Sequence, residues 1–399
     1  MATETLVFLS GKRTPFAANG GSFRDVATTN LALSAAQAAI TQSQVAPDQI
    51  DHTIFGNVLY STAETIYIPR HVGLMAGIPQ DRPAIGLNRL CGTGFQVIID
   101  AFHQMLAGDS RCALVGGVEN MSLSPYALRS ARWGSKMGNQ VIADMMTEAL
   151  TDAYAGAPMA ITAENLAEKY QITREQSDAF SLRSQKRFGE GLKAGYFQQE
   201  IAPYAIKDKK GNATELTRDE HPKPETTMEI LAKLKPIFKK DGIVTAAAAS
   251  GIVDGAAAMI VSTEKFAEEH AKKTGMKPLG RLISYGITGC DPKIMGIGPV
   301  SASQQALKKA GMTLGQMDLV EVNEAFAPQA LSVQKELQIP DEIFNVNGGA
   351  IAVGHPLAAS GTRLTQHILY ELHRRGKRYG LASACIGGGQ GIALVVEAY

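Results

Sequence analysis

Apolar residues follow two alternating rhythms along the chain. The unbroken apolar run at 6–9 reads as a buried strand, and 51–59 reads as another strand. Between them Leu31, Leu33, Ala36 and Ile40 recur at helical spacing and predict a helix over 30–43. Buried strands interleaved with helices predict an α/β protein whose sheets are covered on both faces. The last third repeats the plan. A helix over 301–310 leads through Gln316-Met317-Asp318 into a strand over 319–322, as Gln49-Ile50-Asp51 leads into the earlier strand. A glycine-bounded turn then opens a helix in each part: Cys91-Gly92-Thr93-Gly94 before 95–106, and Gly354-His355-Pro356 before 362–374. Each helix runs into a hairpin-like strand, 111–117 and 379–384. The pattern predicts two related halves, residues 1–119 with 243–270, and residues 271–399.

Residues 120–242 break the rhythm and read as an insertion. They carry Pro158, Pro203, Pro222, Pro224 and Pro236, and bases outnumber acids between Lys207 and Lys240. One helix is expected over 162–195, with Thr173 able to cap a start ahead of Glu175 and Gln176. A solvated lid or an oligomer contact is the plainer reading of this charge. Contact with an anionic ligand is the alternative.

Composition narrows the function classes. The 39 Lys and Arg nearly balance 38 Asp and Glu, so the net charge of +1 gives no electrostatic case for nucleic acid or an anionic membrane. No apolar run approaches the ~20 residues of a membrane-spanning helix. Residues 1–5 show neither a basic signal-peptide start nor an Arg-rich transit character, which suggests bacterial cytoplasm, with the mitochondrial matrix as alternative. The 40 glycines suit sites built from main-chain groups. The four cysteines, Cys91, Cys112, Cys290 and Cys385, lack C-x-x-C or zinc spacing, so no metal is expected and reduced, chemically active thiols are.

Cys91 follows a strand-like run at 84–87 and precedes a helix, so its sulfur is expected at a helix N-terminus, where free N–H groups favour a thiolate. Taken alone, a cysteine there is more often a buried core residue. His355 sits between Gly354 and Pro356, after Gly348-Gly349, and therefore in a shaped turn. Cys385 ends an apolar strand and leads into Gly387-Gly388-Gly389. Asn323-Glu324-Ala325-Phe326 ends another. Sites in open α/β sheets gather at such strand ends.

The segments 88–96, 323–326, 348–361 and 385–391 resemble the signature segments of thiolases, and so do Lys12-Arg13-Thr14-Pro15-Phe16 and Thr162-Ala163-Glu164-Asn165. The resemblance spans about 6–396 and is nearest to the degradative, mitochondrial-type 3-ketoacyl-CoA thiolases. It implies a five-layer α/β/α/β/α sandwich of two related halves, with the insertion as a loop domain, and a dimer or tetramer. Coenzyme A (CoA) would be a co-substrate rather than a bound cofactor, and acyl-CoA the other partner. Cys91 would be the acyl-accepting nucleophile, His355 its base, and Cys385 the acid and base at carbon. The backbone N–H groups of Cys91 and Gly387 would face one oxyanion, and His355 with a water held by Asn323 the other. CoA contacts would map onto Lys223, Thr226 or Thr227, Phe238, Ala246 and Ser250. Met159 and Met295 would line the acyl or pantetheine end, near Phe326.

The sequence departs from the family pattern in places. Ala247 and Ala248 stand for a usual Gly-Asn, which questions the local backbone shape and CoA affinity. Ala358 stands for a common glycine and Lys223 for a common arginine, which would lose a stacking face. Pro158 replaces a histidine found in acetoacetyl-CoA-specific relatives, which leans toward a broader substrate range. The expected reaction is thiolytic cleavage of 3-ketoacyl-CoA in fatty-acid β-oxidation. The alternatives are an acetoacetyl-CoA thiolase, an acyl-CoA thioesterase side activity, and a non-catalytic acyl-CoA binding protein. Decarboxylating condensing relatives lack a second cysteine like Cys385.

Overall fold

The computed structural model describes residues 4–134, 136–207 and 213–399. The first three residues and the stretch 208–212 of the predicted insertion lie outside the described residues.

Two half-sheets share one internal order. The first contains β1 (Leu6–Arg13), β2 (His52–Gly56), β3 (Ala84–Leu87), β4 (Cys112–Glu119) and β5 (Val253–Thr263), ordered β1-β5-β4-β2-β3. The second contains β6 (Gly280–Gly289), β7 (Leu319–Val322), β8 (Tyr379–Ile386) and β9 (Gln390–Ala398), ordered β6-β9-β8-β7. β2 is parallel to both β4 and β3, β7 is parallel to β8, and the remaining pairs are antiparallel. The halves join edge to edge where Val7 pairs with Arg281 and Phe8 with Gly280.

Helices complete five layers. Helix α1 (Thr28–Ser43) covers the outer face of the first half-sheet through Leu31, Ala32, Ala35, Ala36, Ala39 and Ile40, spaced three and four apart. A later helix, Gly298–Ala310, covers the second half-sheet through Val300, Ala302 and Ala306. Between the sheets lie helix Thr93–Ala107 and helix Leu357–Arg375, whose residues 357–372 are all buried. Phe95, Ile98 and Ile99 of the former and Leu364 and Ile368 of the latter build the central core.

The duplication extends to side chains. Asp51 accepts the N–H groups of Arg111 (2.8 Å) and Cys112 (3.3 Å), and Asp318 accepts those of Arg378 (3.0 Å) and Tyr379 (2.9 Å). Each carboxylate ties the start of one strand to the start of its parallel neighbour.

Three expectations need correction. The helix expected over 162–195 is two helices, Met159–Tyr170 and Arg174–Lys193. Gln171 turns left-handed at φ 53°, and Thr173 with Gln176 forms a capping box that restarts the chain. The second-half helix begins at Leu357, ahead of 362, because Gly361 belongs to its first turns as a contact residue. A Cβ there would lie 2.3 Å from the backbone N of Phe95. Only β8 forms a hairpin, with β9. β4 pairs instead with β5, from the far side of the insertion.

Candidate active site

The Cys91 loop is locked by its own neighbours. Asn88 Oδ1 accepts the Leu90 N–H at 2.9 Å, while Thr93 Oγ1 accepts the Arg89 N–H at 2.8 Å and donates to the Leu90 carbonyl at 2.7 Å. These bonds hold Leu90 at φ 46°, a left-handed conformation that costs a non-glycine about 1–2 kcal/mol. Cys91 follows in a short 3₁₀ turn, Leu90–Gly92, ahead of helix Thr93–Ala107. Its half-buried sulfur accepts the backbone N–H of Gly387 and that of its own residue.

Electrostatics work against the thiolate that a helix-end position favours. Burial pushes the Cys91 thiol up to about 11, the Gly387 and Cys91 N–H groups pull it back, and Glu119 pushes it further up. The sulfur therefore rests protonated and needs a base.

His355 has the form that role would need. It is 6% exposed, and burial alone lowers its pKa to about 4, so the imidazole is neutral near pH 7. Nδ1 lies 2.5 Å from Ser360 Oγ, and Asn323 Nδ2 lies 3.3 Å from Nε2. The network assigns the proton to Nδ1, donating to Ser360, and leaves the Nε2 lone pair facing the amide of Asn323.

The helices carrying Cys91 and His355 at their starts cross where there is no room for a side chain. A Cβ on Gly94 would lie 2.5 Å from Thr362 N and 2.7 Å from the Ala358 carbonyl oxygen. Cys91 packs with Leu90 against Val58, Leu59, Met121, Leu357 and Ala358, the last two directly following the His355 turn.

Cys385 closes the other side. It is fully buried, and burial followed by the nearby sulfurs of Cys91 and Cys290 raises its thiol well above the usual range. It packs with Met295 and Ala325, and Met159 and Phe326 lie against that cluster. The Gly387-Gly388-Gly389 turn follows, with φ of 81° and 83° at Gly388 and Gly389.

The structure gathers Cys91, His355, Cys385, Asn323 and Gly387 in one place. The residues assigned to CoA fall in two groups. Met159, Met295 and Phe326 border Cys385, and Ser250 donates its N–H to the Ala325 carbonyl at 2.9 Å. Lys223, Thr227, Phe238 and Ala246 are exposed, and Thr226 is half-buried with its hydroxyl on the Lys223 carbonyl. The two groups are connected: His221, two residues before Lys223, would strike a Cβ on Gly251, whose carbonyl accepts the His355 N–H. Neither Ala247, Ala248 nor Ala358 has a positive φ, so alanine fits these backbones without strain. Among the described residues, no group of side chains is placed to hold a metal ion, and no helix is long and apolar enough to cross a membrane.

Two polar residues here escaped the sequence reading. Ser360 lies five residues after His355 inside an apparent small-residue stretch. Glu119 ends an apolar strand and is fully buried. An acid closing an uninterrupted apolar run was the available signal.

A doubled α/β sandwich with two thiols and an imidazole where its repeats meet defines a thiol-centred site between pseudo-symmetric domains. The chain belongs to the thiolase family: the thiolase N-terminal domain matches residues 6–265 and the thiolase C-terminal domain residues 276–398. It is 51% identical to mitochondrial 3-ketoacyl-CoA thiolase of Bos taurus, covering 100% of this chain and 99% of that one. The crystal structure of human mitochondrial 3-ketoacyl-CoA thiolase superposes with a TM-score of 0.96 at 49% identity, over 100% of both chains. The human enzyme in complex with CoA superposes at 0.95 with 48% identity, over 100% of this chain and 98% of that one.

Proposed function

We propose that the chain is an acetyl-CoA C-acyltransferase that cleaves 3-ketoacyl-CoA with CoA, giving acetyl-CoA and a shortened acyl-CoA in fatty-acid β-oxidation. The observation that supports it most is the pair of N–H groups, from Cys91 and Gly387, aimed at a protonated sulfur beside a neutral imidazole. The names of its relatives point the same way.

In this reading Nε2 of His355 takes the Cys91 proton as the sulfur attacks the C3 carbonyl carbon. The oxyanion is held by donors already in place. The C2–C3 bond then breaks, leaving the acyl group on Cys91 and the acetyl-CoA enolate. The Cys385 thiol protonates C2 of that enolate. CoA thiol then gives its proton to the Cys385 thiolate as it attacks the acyl-cysteine, acyl-CoA leaves, and the freed Cys91 thiolate takes back the proton held by His355. The acyl tail lies against Leu59, Met121, Met146 and Leu150, the apolar side chains around Cys91. CoA runs from exposed Lys223, Thr226, Thr227, Phe238 and Ala246 past Ser250 to Met159, Met295 and Phe326. The insertion 120–242 supplies most of that route as a separate unit between the two halves.

We read the protein as a homodimer, or a tetramer of dimers. The outer edge of β3 is unpaired among the described residues, beside exposed Tyr60, Ile66, Tyr67 and Met75, and an isologous partner would cover that edge. The compartment in the Bos taurus relative's name supports the mitochondrial matrix over bacterial cytoplasm.

The test is CoA-dependent loss of acetoacetyl-CoA and 3-ketohexanoyl-CoA enolate absorbance, with acetyl-CoA formed. Cys91→Ala abolishes it. Wild-type turnover in that variant would sink the mechanism, and hydrolysis indifferent to CoA would make the protein a thioesterase.

A further inference from the structure

Glu119 is a fully buried carboxylate at the end of β4, and every polar contact it makes is with a donor. Oε1 accepts Asn57 Nδ2 at 3.0 Å, Val58 N at 3.3 Å and Leu59 N at 2.8 Å. Oε2 accepts Val58 N at 3.3 Å and Ala358 N at 3.2 Å. Asn57, Val58 and Leu59 follow β2 of the first half. Ala358 lies in the second half, three residues after His355 and two before Ser360. One side chain thus ties both halves together on the wall against which Cys91 packs. Room for adjustment is small, because a Cβ on Gly117 would lie 1.9 Å from the Ala358 carbonyl oxygen.

We propose that Glu119 is a positioning residue: its carboxylate clamps loop 57–59 to the turn after His355 and so sets the imidazole against the Cys91 sulfur. The inference rests on the reading of Cys91 as nucleophile and His355 as its base. Ser360 fixes the tilt of the imidazole through Nδ1, and Glu119 fixes the turn that carries both residues. A glutamine is nearly isosteric but would direct an NH₂ group at one set of these N–H donors, leaving buried groups unpaired.

The clamp has an electrostatic consequence. Burial pushes the Glu119 carboxyl up to about 8, against the Leu59, Ala358 and Val58 N–H groups that pull it down, and Asp254 pushes it further up. Once ionised, it opposes thiolate formation at Cys91. The other titratable groups around this pair are Asp254 on β5, hydrogen-bonded to Ser122, His355 ahead of helix Leu357–Arg375, Cys385 on β8 and Cys290 beyond β6. None is a cation at neutral pH, so nothing nearby offsets the charge that Glu119 carries once it ionises.

The experiment uses full-length Glu119→Gln and Asn57→Ala, with mass-spectrometric single-turnover acylation of Cys91 and its iodoacetamide alkylation followed against pH. For Glu119→Gln, acylation falls about tenfold or more while KM for acyl-CoA stays within about twofold, as expected for a displaced base. Its alkylation profile moves to lower pH because the opposing charge is gone. Asn57→Ala keeps the charge and loses one donor, so acylation falls less and the alkylation profile stays put. A folded Glu119→Gln protein with wild-type acylation and alkylation overturns the proposal. Should that variant not fold, Asn57→Ala decides, and wild-type acylation in it overturns the proposal too. Failure of the underlying reading is separate: it would be turnover in Cys91→Ala.

Discussion

Asn323 Nδ2 lies 3.3 Å from His355 Nε2, at the meeting of the strand end after β7 and the turn before helix Leu357–Arg375. The amide can donate to the imidazole lone pair, and burial keeps that lone pair free of a proton down to about pH 4. Stability carries the trace of this. Between pH 6.5 and about 4 the unfolded chain takes up a proton at residue 355 that the folded protein does not. Stability therefore falls as pH falls through that window, by about 3 kcal/mol from this group. Urea unfolding at a series of pH values should give His355→Gln a shallower acid slope than wild type. An identical slope would mean that the imidazole is not buried neutral.

Cys385 and Cys91 are expected to fail differently. Burial and the nearby Cys91 and Cys290 sulfurs keep the Cys385 thiol protonated, as an acid for carbon requires. Cys385→Ala should lower thiolysis of 3-ketoacyl-CoA by roughly 10²–10⁴-fold, the usual worth of a general acid. Transfer from a simple acyl-CoA to Cys91 forms no carbanion and should persist, visible as the acyl mass on the intact protein. Equal loss of both reactions would give Cys385 a structural role only.

The sequence made some of this legible and hid the rest for physical reasons. Cys91, His355 and Cys385 could be picked out because each sits in or beside a glycine-shaped turn, a local feature. The matching of 49–51 with 316–318 was legible too, and the paired roles of Asp51 and Asp318 account for it. Glu119 and Ser360 were not. Their work depends on donors and acceptors that only the tertiary fold brings close. The strand expected over 51–59 ends at Gly56 for the same reason, since Asn57, Val58 and Leu59 turn out of the sheet toward Glu119. For Cys91 the helix-end position was visible in the sequence and the desolvation that raises its thiol was not.

The helix crossing gives a sharper mutational test. Exposed helical glycines gain stability on change to alanine. Gly94→Ala should do the reverse by about 1–3 kcal/mol, because its Cβ meets backbone atoms of Thr362, Ala358 and Gly361. Separating these helices also separates Cys91 from His355. Single-turnover acylation should therefore fall even at temperatures where circular dichroism shows the variant folded. Unchanged acylation in a folded Gly94→Ala would show that the crossing does not set the catalytic geometry.

Arg13 tests the deepest ion pairs. It has no exposure and donates to Asp219 at 2.6 and 3.0 Å and to Glu200 at 3.2 and 3.3 Å. Burial works to raise the Glu200 carboxyl, but His367 and Arg13 outweigh it and hold it at about 2. Its stabilising contribution is present above the ordinary glutamate range and is lost only as pH falls toward 2. Arg13→Met leaves Asp219 buried without its guanidinium and Glu200 with His367 alone, and should cost about 3–5 kcal/mol near pH 7. Without the guanidinium the Glu200 carboxyl protonates more readily, so the deficit against wild type should shrink at pH 5. Paired urea titrations at the two pH values measure this. A deficit that is the same at both would place the loss in packing around Phe16, whose ring lies 4.9 Å from the guanidinium, rather than in charge.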